Sequence, residues 1–536
     1  MSDRDSEKDG WTTPLMVAAA YWGAFILLIS EILSVFNALT ALWVTSLWTL
    51  TLVGLVGLAV WTGTWRNSLR DLWDGSSKLR ERFPLSILPF VTLGALLFVI
   101  ALLSPANSTD SLRYHMPRVL HWAQNASLRH YSTAYQPQLW NPPWAEIVIL
   151  NLRLLWGSDR LANLVQWASM VGSLVGVAAI AGVLGASRLG RLAAVAFAIS
   201  LPMGILQATS NQTDYVAAFW LICAAYFVVL SQRRGLSKWE LAALGMAVGL
   251  GMLTKATYYV YVLPLLIWFV TSRLRASGWK RVVVESLWVA IPAILINAGF
   301  WSRNVATFGG PLGLTDWVQA NTNAGMGLLG VGGYISSLIR ATLMNFVTPS
   351  QEFNMSLQQA VGGIESALGV GSGGYEIIWG WNHEDLAGYP LHIALVVLTI
   401  ALLTIFRPSR PTVWIYSGVA LASYALVGLA IRYAPYNLRF QLAFFVFWAP
   451  VFGVALSAAR LRWLAIFATP ALLLVSLPWV FFNSTRPLIG MQPEPKGLEL
   501  PCVLGCTRMG SIFEVPETDL LYANWRPLQE PVDRLA

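Results

Sequence analysis

Asp110 lies in the string Ala106-Asn107-Ser108-Thr109-Asp110-Ser111-Leu112-Arg113-Tyr114-His115, a few residues beyond a long apolar block. Leu112, Met116, Val119, Leu120 and Ala123 recur at helical spacing, which puts Asp110 at the first turn of a helix. A carboxylate there either caps free backbone N–H groups or, at the mouth of a cavity, orients and deprotonates an acceptor hydroxyl. Asp214 follows Ser210-Asn211-Gln212-Thr213 and opens another apolar run, where the same two readings apply. With Tyr114 and His115 nearby in sequence, the two carboxylates make a candidate acid–base site.

Candidate cations accompany them. Lys255 ends the string Gly249-Leu250-Gly251-Met252-Leu253-Thr254-Lys255, at a turn between two short apolar segments. A lysine at such a turn meets a phosphate as a compact charge, or snorkels to lipid headgroups. Arg303 and Asn304 follow a further apolar block, and Arg432, Tyr433, Asn437 and Arg439 lie between two others. Guanidinium suits bidentate phosphate contact. Glu31, and Glu146 after Asn141-Pro142-Pro143-Trp144, are further acidic candidates. His383, Glu384 and Asp385 read as an exposed polar cluster without the His-Glu-x-x-His spacing of a zinc hydrolase, so no zinc is assigned. A divalent cation between Asp110 and Asp214 requires that the two converge.

The elements that position these groups are membrane helices. Of the 536 residues, 56% are hydrophobic and 12% charged, against roughly 25% charged in a typical globular domain. The aliphatic blocks are long enough to cross a hydrocarbon layer, which takes about 20 residues. The expectation is an all-α polytopic protein with thirteen spans near 15–37, 42–62, 85–104, 162–186, 190–206, 214–231, 240–254, 257–272, 282–300, 391–406, 412–430, 438–457 and 462–482. The tail from Met1 to Gly10 is polar and mixed in sign, so the first block reads as a retained span rather than a signal peptide.

Sidedness follows from charge. Alternate short connectors carry Arg66, Arg70, Lys78, Arg80 and Arg82; Arg188 and Arg191; Arg233, Arg234 and Lys238; Arg273, Arg275, Lys280 and Arg281; Arg407 and Arg410; and Arg460 and Arg462. Only Asp71, Asp74, Glu81 and Glu240 oppose them, the bias of a cytoplasmic side. The N-terminal tail 1–14 is then cytoplasmic, and the tail 483–536 and the long loops 105–161 and 301–390 are extracytoplasmic. The first loop is amphipathic and suits interfacial helices; the second is glycine-rich at Gly369, Gly371, Gly373 and Gly374 and reads as a mobile cover.

The formal charge of +8 sits in connectors between apolar blocks, which argues against nucleic acid as a partner. Cys223 reads as an inert packed residue, whereas Cys502 and Cys506 could form a local disulfide on an oxidising side. No repeat relates the two halves, which fits an alternating-access transporter poorly.

In order along the chain, Asp110 with Tyr114, Asn141-Pro142-Pro143, Asp214, Gly249 to Lys255, Trp301-Ser302-Arg303-Asn304 through Phe308-Gly309-Gly310-Pro311, and Asn437-Leu438-Arg439-Phe440 resemble a bacterial GT-C superfamily membrane glycosyltransferase. The resemblance covers roughly 85–480 and is to the family 39-like group of protein O-mannosyltransferases and lipid A aminoarabinose transferases. The chain departs from that pattern in having Asp110-Ser111 in place of an Asp-Glu pair, and Asn141 where the aminoarabinose group has lysine.

The resemblance implies a GT-C-like helix bundle over 15–482 in a bacterial inner membrane. It implies transfer of a sugar from a polyprenyl-phosphate-linked donor to an extracytoplasmic lipid, glycan or protein. Asp110, Asp214 and His115 become the catalytic candidates. Lys255, Arg303 and Arg439 become the donor-phosphate ligands, and Tyr114, Asn141, Glu146, Asn304 and Tyr433 the cavity lining. The competing readings are a lipid or lipid-linked glycan flippase that uses the same cations without bond making, and an assembly subunit with no turnover of its own.

Overall fold

The apolar blocks fold as helices, as the hydropathy pattern requires. The structure, a computed structural model, describes residues 11–65, 85–313, 322–323, 331–348, 350–370, 380–408, 410–490 and 511–521. Among these there is no strand, only an isolated bridge between Thr322 and Ile431. The connector with Arg66 to Arg82, the glycines at 371, 373 and 374, and Cys502 and Cys506 lie outside the described residues.

Eight described helices are long and apolar enough to cross a membrane, or nine if one bent pair counts as a span, where thirteen spans were expected. The chain is a multi-pass membrane protein. The difference in count lies in short and broken segments. Leu88–Leu103 and Pro390–Phe406 are apolar but short. Arg188–Ile199 and Pro202–Ala208 meet at 69°, because Pro202 has no N–H for a continuing ladder. The two spans expected at 257–272 and 282–300 lie on one run, Ala256–Phe308, broken at Gly278. Gly278 has φ 74° and ψ 167°, a region essentially closed to side chains with a Cβ.

The bundle is layered around Asp214–Ser231, 89% of whose membrane-length window is buried, whereas Ala41–Trp61 is 11% buried and faces outward. A helix apolar on every side belongs at a bundle centre, and one with its apolar face open belongs against lipid. Close approach uses small residues. A Cβ at Gly245 would lie 2.3 Å from the Val289 carbonyl oxygen and one at Gly249 would lie 2.8 Å from the Ala293 Cα, so these glycines let Lys238–Met252 lie flat on the later part of Ala256–Phe308. Asn297 then donates to the Gly249 carbonyl at 2.9 Å.

The first long loop forms two amphipathic helices, Met116–Asn125 and Trp144–Trp156. Their shared core is polar: Glu146 is fully buried and meets Arg118 at 3.0 Å and His115 Nδ1 at 2.8 Å. The Trp144 backbone N–H donates to the Leu253 carbonyl at 2.9 Å, so the Asn141-Pro142-Pro143 corner is tied to the turn that carries Lys255. In the second loop Val331–Leu343 and Gln351–Leu368 are helical and are joined by Arg340 and Glu365. Residues 483–490 pack into the bundle end: Arg486 is fully buried, donates to Asn107 Oδ1 at 2.6 Å and lies 3.5 Å from Glu384.

Candidate active site

Four chain breaks between helices meet at one end of the bundle. The first is the turn before Met116–Asn125. Ser111–His115 winds as a π-helical turn, a wide turn often found at functional sites, and Asp110 precedes it without making any capping hydrogen bond. The capping reading of Asp110 is therefore replaced. Its Oδ2 accepts from Arg439 Nη2 at 2.6 Å and from the Tyr114 hydroxyl at 3.0 Å. Ser111 bonds Asn211, which fixes this turn against the loop before Asp214.

The second and third breaks hold Asp214 and Lys255. Thr213, not Asp214, is the N-cap residue of Asp214–Ser231, and it makes no side-chain cap either. Asp214 instead pairs with Lys255 Nζ at 2.5 Å, at 3% and 14% side-chain exposure respectively. Lys255 has extended backbone at the start of the Ala256–Phe308 run and its Nζ lies 4.5 Å from the Phe440 ring centroid, a cation–π contact.

The fourth break runs from Ile431 to Gln441. Pro435–Gln441 forms a 3-10 turn held by Tyr261, whose hydroxyl donates to the Phe440 carbonyl at 2.8 Å. It delivers Arg439 between Asp110 and Asp385, with Nη1 3.0 Å from Asp385 Oδ1. Arg439 Nε is buried without a hydrogen-bond partner in the protein.

These breaks surround a cavity of about 360 Å³, lined by Asp110, Tyr114, His115, Asn141, Lys255, Arg432 and Arg439 among others. The fold thus brings together most of the residues singled out from sequence. Asp214 stands behind Lys255. Glu146 stands behind His115, leaving His115 Nε2 buried and unpartnered.

Three residues fall elsewhere. Arg303, expected at the donor phosphate, is held by a two-pronged pair with Glu31 at 2.8 Å on each oxygen and does not line the cavity. Asn304 is buried and donates to the Pro311 carbonyl at 2.9 Å. The Tyr433 ring lies 5.8 Å from the Arg340 guanidinium and lines a small neighbouring pocket rather than this cavity. The cluster at 383–385 is not exposed as expected: Glu384 is fully buried and Asp385 nearly so. Sequence reading passed over Gln212, Arg118 and Phe440. Gln212 and Phe440 stand in strings quoted for their neighbours, and Arg118 stands one helical turn from His115.

The electrostatics split the carboxylates. Burial raises the Asp110 carboxyl, but Arg439 and then His115 outweigh it and hold it below the ordinary carboxylate range. Burial also raises Asp385; Arg439 and His383 oppose it, Glu384 and Asp110 add to it, and the carboxyl stays above its ordinary value. Two acids near one guanidinium are thus driven apart, the pattern that separates proton acceptors from proton carriers. Among the described residues no three His, Cys, Asp or Glu side chains are grouped to hold a metal ion, and Asp110 and Asp214 each face a cationic side chain of the protein.

Residues 141–301 match the family model described as dolichyl-phosphate-mannose-protein mannosyltransferase, in agreement with the resemblance read from the sequence. The matched stretch includes Asn141, Asp214 and Lys255 and leaves Asp110 and Arg439 outside. A crystal structure of ArnT from Cupriavidus metallidurans bound to undecaprenyl phosphate is similar at 15% identity and a TM-score of 0.48. That likeness covers 72% of this chain and 62% of the other, so the chain spans less than two thirds of that protein. No curated protein sequence matches.

Proposed function

We propose that this protein is a glycosyltransferase that moves a sugar from a polyprenyl-phosphate-linked donor to an acceptor hydroxyl at the extracytoplasmic face of a bacterial inner membrane. The observation that carries the proposal is the shared cavity, in which an ionised carboxylate, Asp110, lies beside two cations, Lys255 and Arg439. The family matched over 141–301 is described by a prenyl-phosphate sugar donor, which fits those cations.

In this reading the acceptor oxygen attacks the anomeric carbon and the bond from that carbon to the phosphate oxygen breaks. The acceptor proton passes to Asp110 Oδ1 or Oδ2, and the phosphate leaves on its lipid with the negative charge that Lys255 and Arg439 stabilise. Preorganised cations at a site of developing charge act more strongly than in water because nothing must reorganise. His115, oriented by Glu146, lines the same space as an assisting group. Asn141 and Tyr114 line the acceptor side.

Residues 15–482 form the catalytic unit, with the tail 1–14 cytoplasmic and 483–536 on the far side, by the bias of the basic connectors. The test is reconstitution of the purified chain in vesicles with a polyprenyl-phosphate sugar. Sugar transfer that is abolished in a folded Asp110→Asn protein supports the reading, and lipid movement between leaflets without bond exchange sinks it.

A further inference from the structure

Asp385 does not line the cavity, yet it holds one of the cations that do. Its Oδ1 accepts from Arg439 Nη1 and from Gln212 Nε2, each at 3.0 Å. His383 Nδ1 lies 4.0 Å from its Oδ2. Glu384 precedes it in the chain and is paired with Arg486, and Asp110 lies across the shared guanidinium. Those five groups, Arg439, His383, Glu384, Arg486 and Asp110, are the charged and titratable neighbours that act on it.

One guanidinium therefore serves two carboxylates, a cluster with one excess negative charge before any ligand enters. A phosphate arriving at Arg439 adds a third anion beside two largely buried carboxylates, where like charges close together are costly. One of the carboxylates must give way. Asp110 is the more firmly ionised of the two, being bonded to the Tyr114 hydroxyl and faced by His115 as well as by Arg439. Asp385 is the one whose surroundings favour the neutral form.

We propose that Asp385 is a positioning residue that governs the availability of Arg439 to a lipid phosphate: ionised, it withholds the guanidinium, and on taking up one proton from solvent it releases it. The role rests on the phosphate-binding reading above. Phosphate binding and protonation of Asp385 are then linked, each favouring the other. A supporting strut would behave in the opposite way, since removing its charge would loosen Arg439 and weaken the ligand.

The experiment measures binding of a polyprenyl monophosphate to the full chain in lipid nanodiscs between pH 5.5 and 8.5, for wild type and Asp385→Asn. Asparagine has the shape of the carboxylate without its charge, so it stands in for the neutral form at every pH. Taking the ratio of the two dissociation constants at each pH cancels the titration of the phosphate itself. The expected ratio, wild type over variant, climbs with pH, at most about tenfold per pH unit. A flat ratio, or weaker binding by the variant at every pH, overturns the role of Asp385 while leaving phosphate binding intact. No binding by wild type overturns the phosphate reading and this one with it. Should Asp385→Asn fail to fold, Gln212→Met removes a donor to the ionised form, and the wild-type pH dependence must move to higher pH; no movement overturns the proposal.

Discussion

Lys255 and Asp214 are paired at 2.5 Å at one edge of the cavity, the lysine on the cavity wall and the aspartate behind it. The pairing separates two effects that a single substitution would mix. Lys255→Met removes the phosphate-side cation and leaves a buried carboxylate alone, at a cost of about 3–5 kcal/mol in stability. Adding Asp214→Asn removes the orphaned charge. The double variant is expected to regain most of the thermal stability in detergent and none of the transfer, which stays down at least about 100-fold. Recovery of transfer in the double variant would show that Lys255 is a scaffold residue.

Asp110→Asn preserves the shape of the turn and an acceptor for Arg439. Transfer is expected to fall by about 10²–10⁴-fold with little change in donor binding, measured as a drop in kcat at similar KM. Because Arg439 and His115 hold the Asp110 carboxyl low, the acid limb of the wild-type rate that reports this group lies below its ordinary value, about pH 3.9.

Arg303→Gln tests a residue that sequence placed at the phosphate and the fold places against Glu31. Donor KM is expected to stay within about twofold. Stability falls by about 2–3 kcal/mol, because Glu31 is left unpaired within a membrane helix. Glu31→Gln in the same protein restores the stability. A large rise in donor KM for Arg303→Gln alone would return Arg303 to the site.

Glu146 gives a stability prediction with a sign. Burial raises its carboxyl, but Arg118 and His115 outweigh burial and keep it below the ordinary range. A group depressed in the folded state stabilises fully above its unfolded value, about 4.3, and that contribution is lost as pH falls through the lower folded value. Thermal unfolding of wild type is expected to soften on acidification below about pH 4, and Glu146→Gln to be less stable at neutral pH and flatter across that window. Equal pH profiles for the two proteins would exclude this ion cluster as the acid-sensitive element.

Gly251→Ala is the local test of how the Lys255 turn is held. A Cβ there would sit 2.1 Å from the Tyr258 ring, which is fully buried and has no room to retreat. A loss of about 1–3 kcal/mol is expected, with transfer falling further than stability because the displaced turn carries Lys255.

Hydropathy alone determined that this chain lives in a membrane, because long apolar runs have nowhere else to be buried. The helices appeared where those runs lie. The breaks at Pro202 and Gly278 had their residue types on view, but a proline or glycine does not say whether a run bends, stops or turns back; that depends on what packs against it. Asp110, Lys255 and Arg439 were legible as chemistry because charge at the end of an apolar block is costly and needs a reason. Their partners were not. Asp385 looked exposed, and Arg303 looked like a phosphate ligand, because local sequence carries no distance between segments 54 or 272 residues apart. The tertiary structure decided that Arg303 belongs to Glu31 and Arg439 to Asp110 and Asp385, since a partly buried charge is assigned by the nearest opposite charge the packing allows.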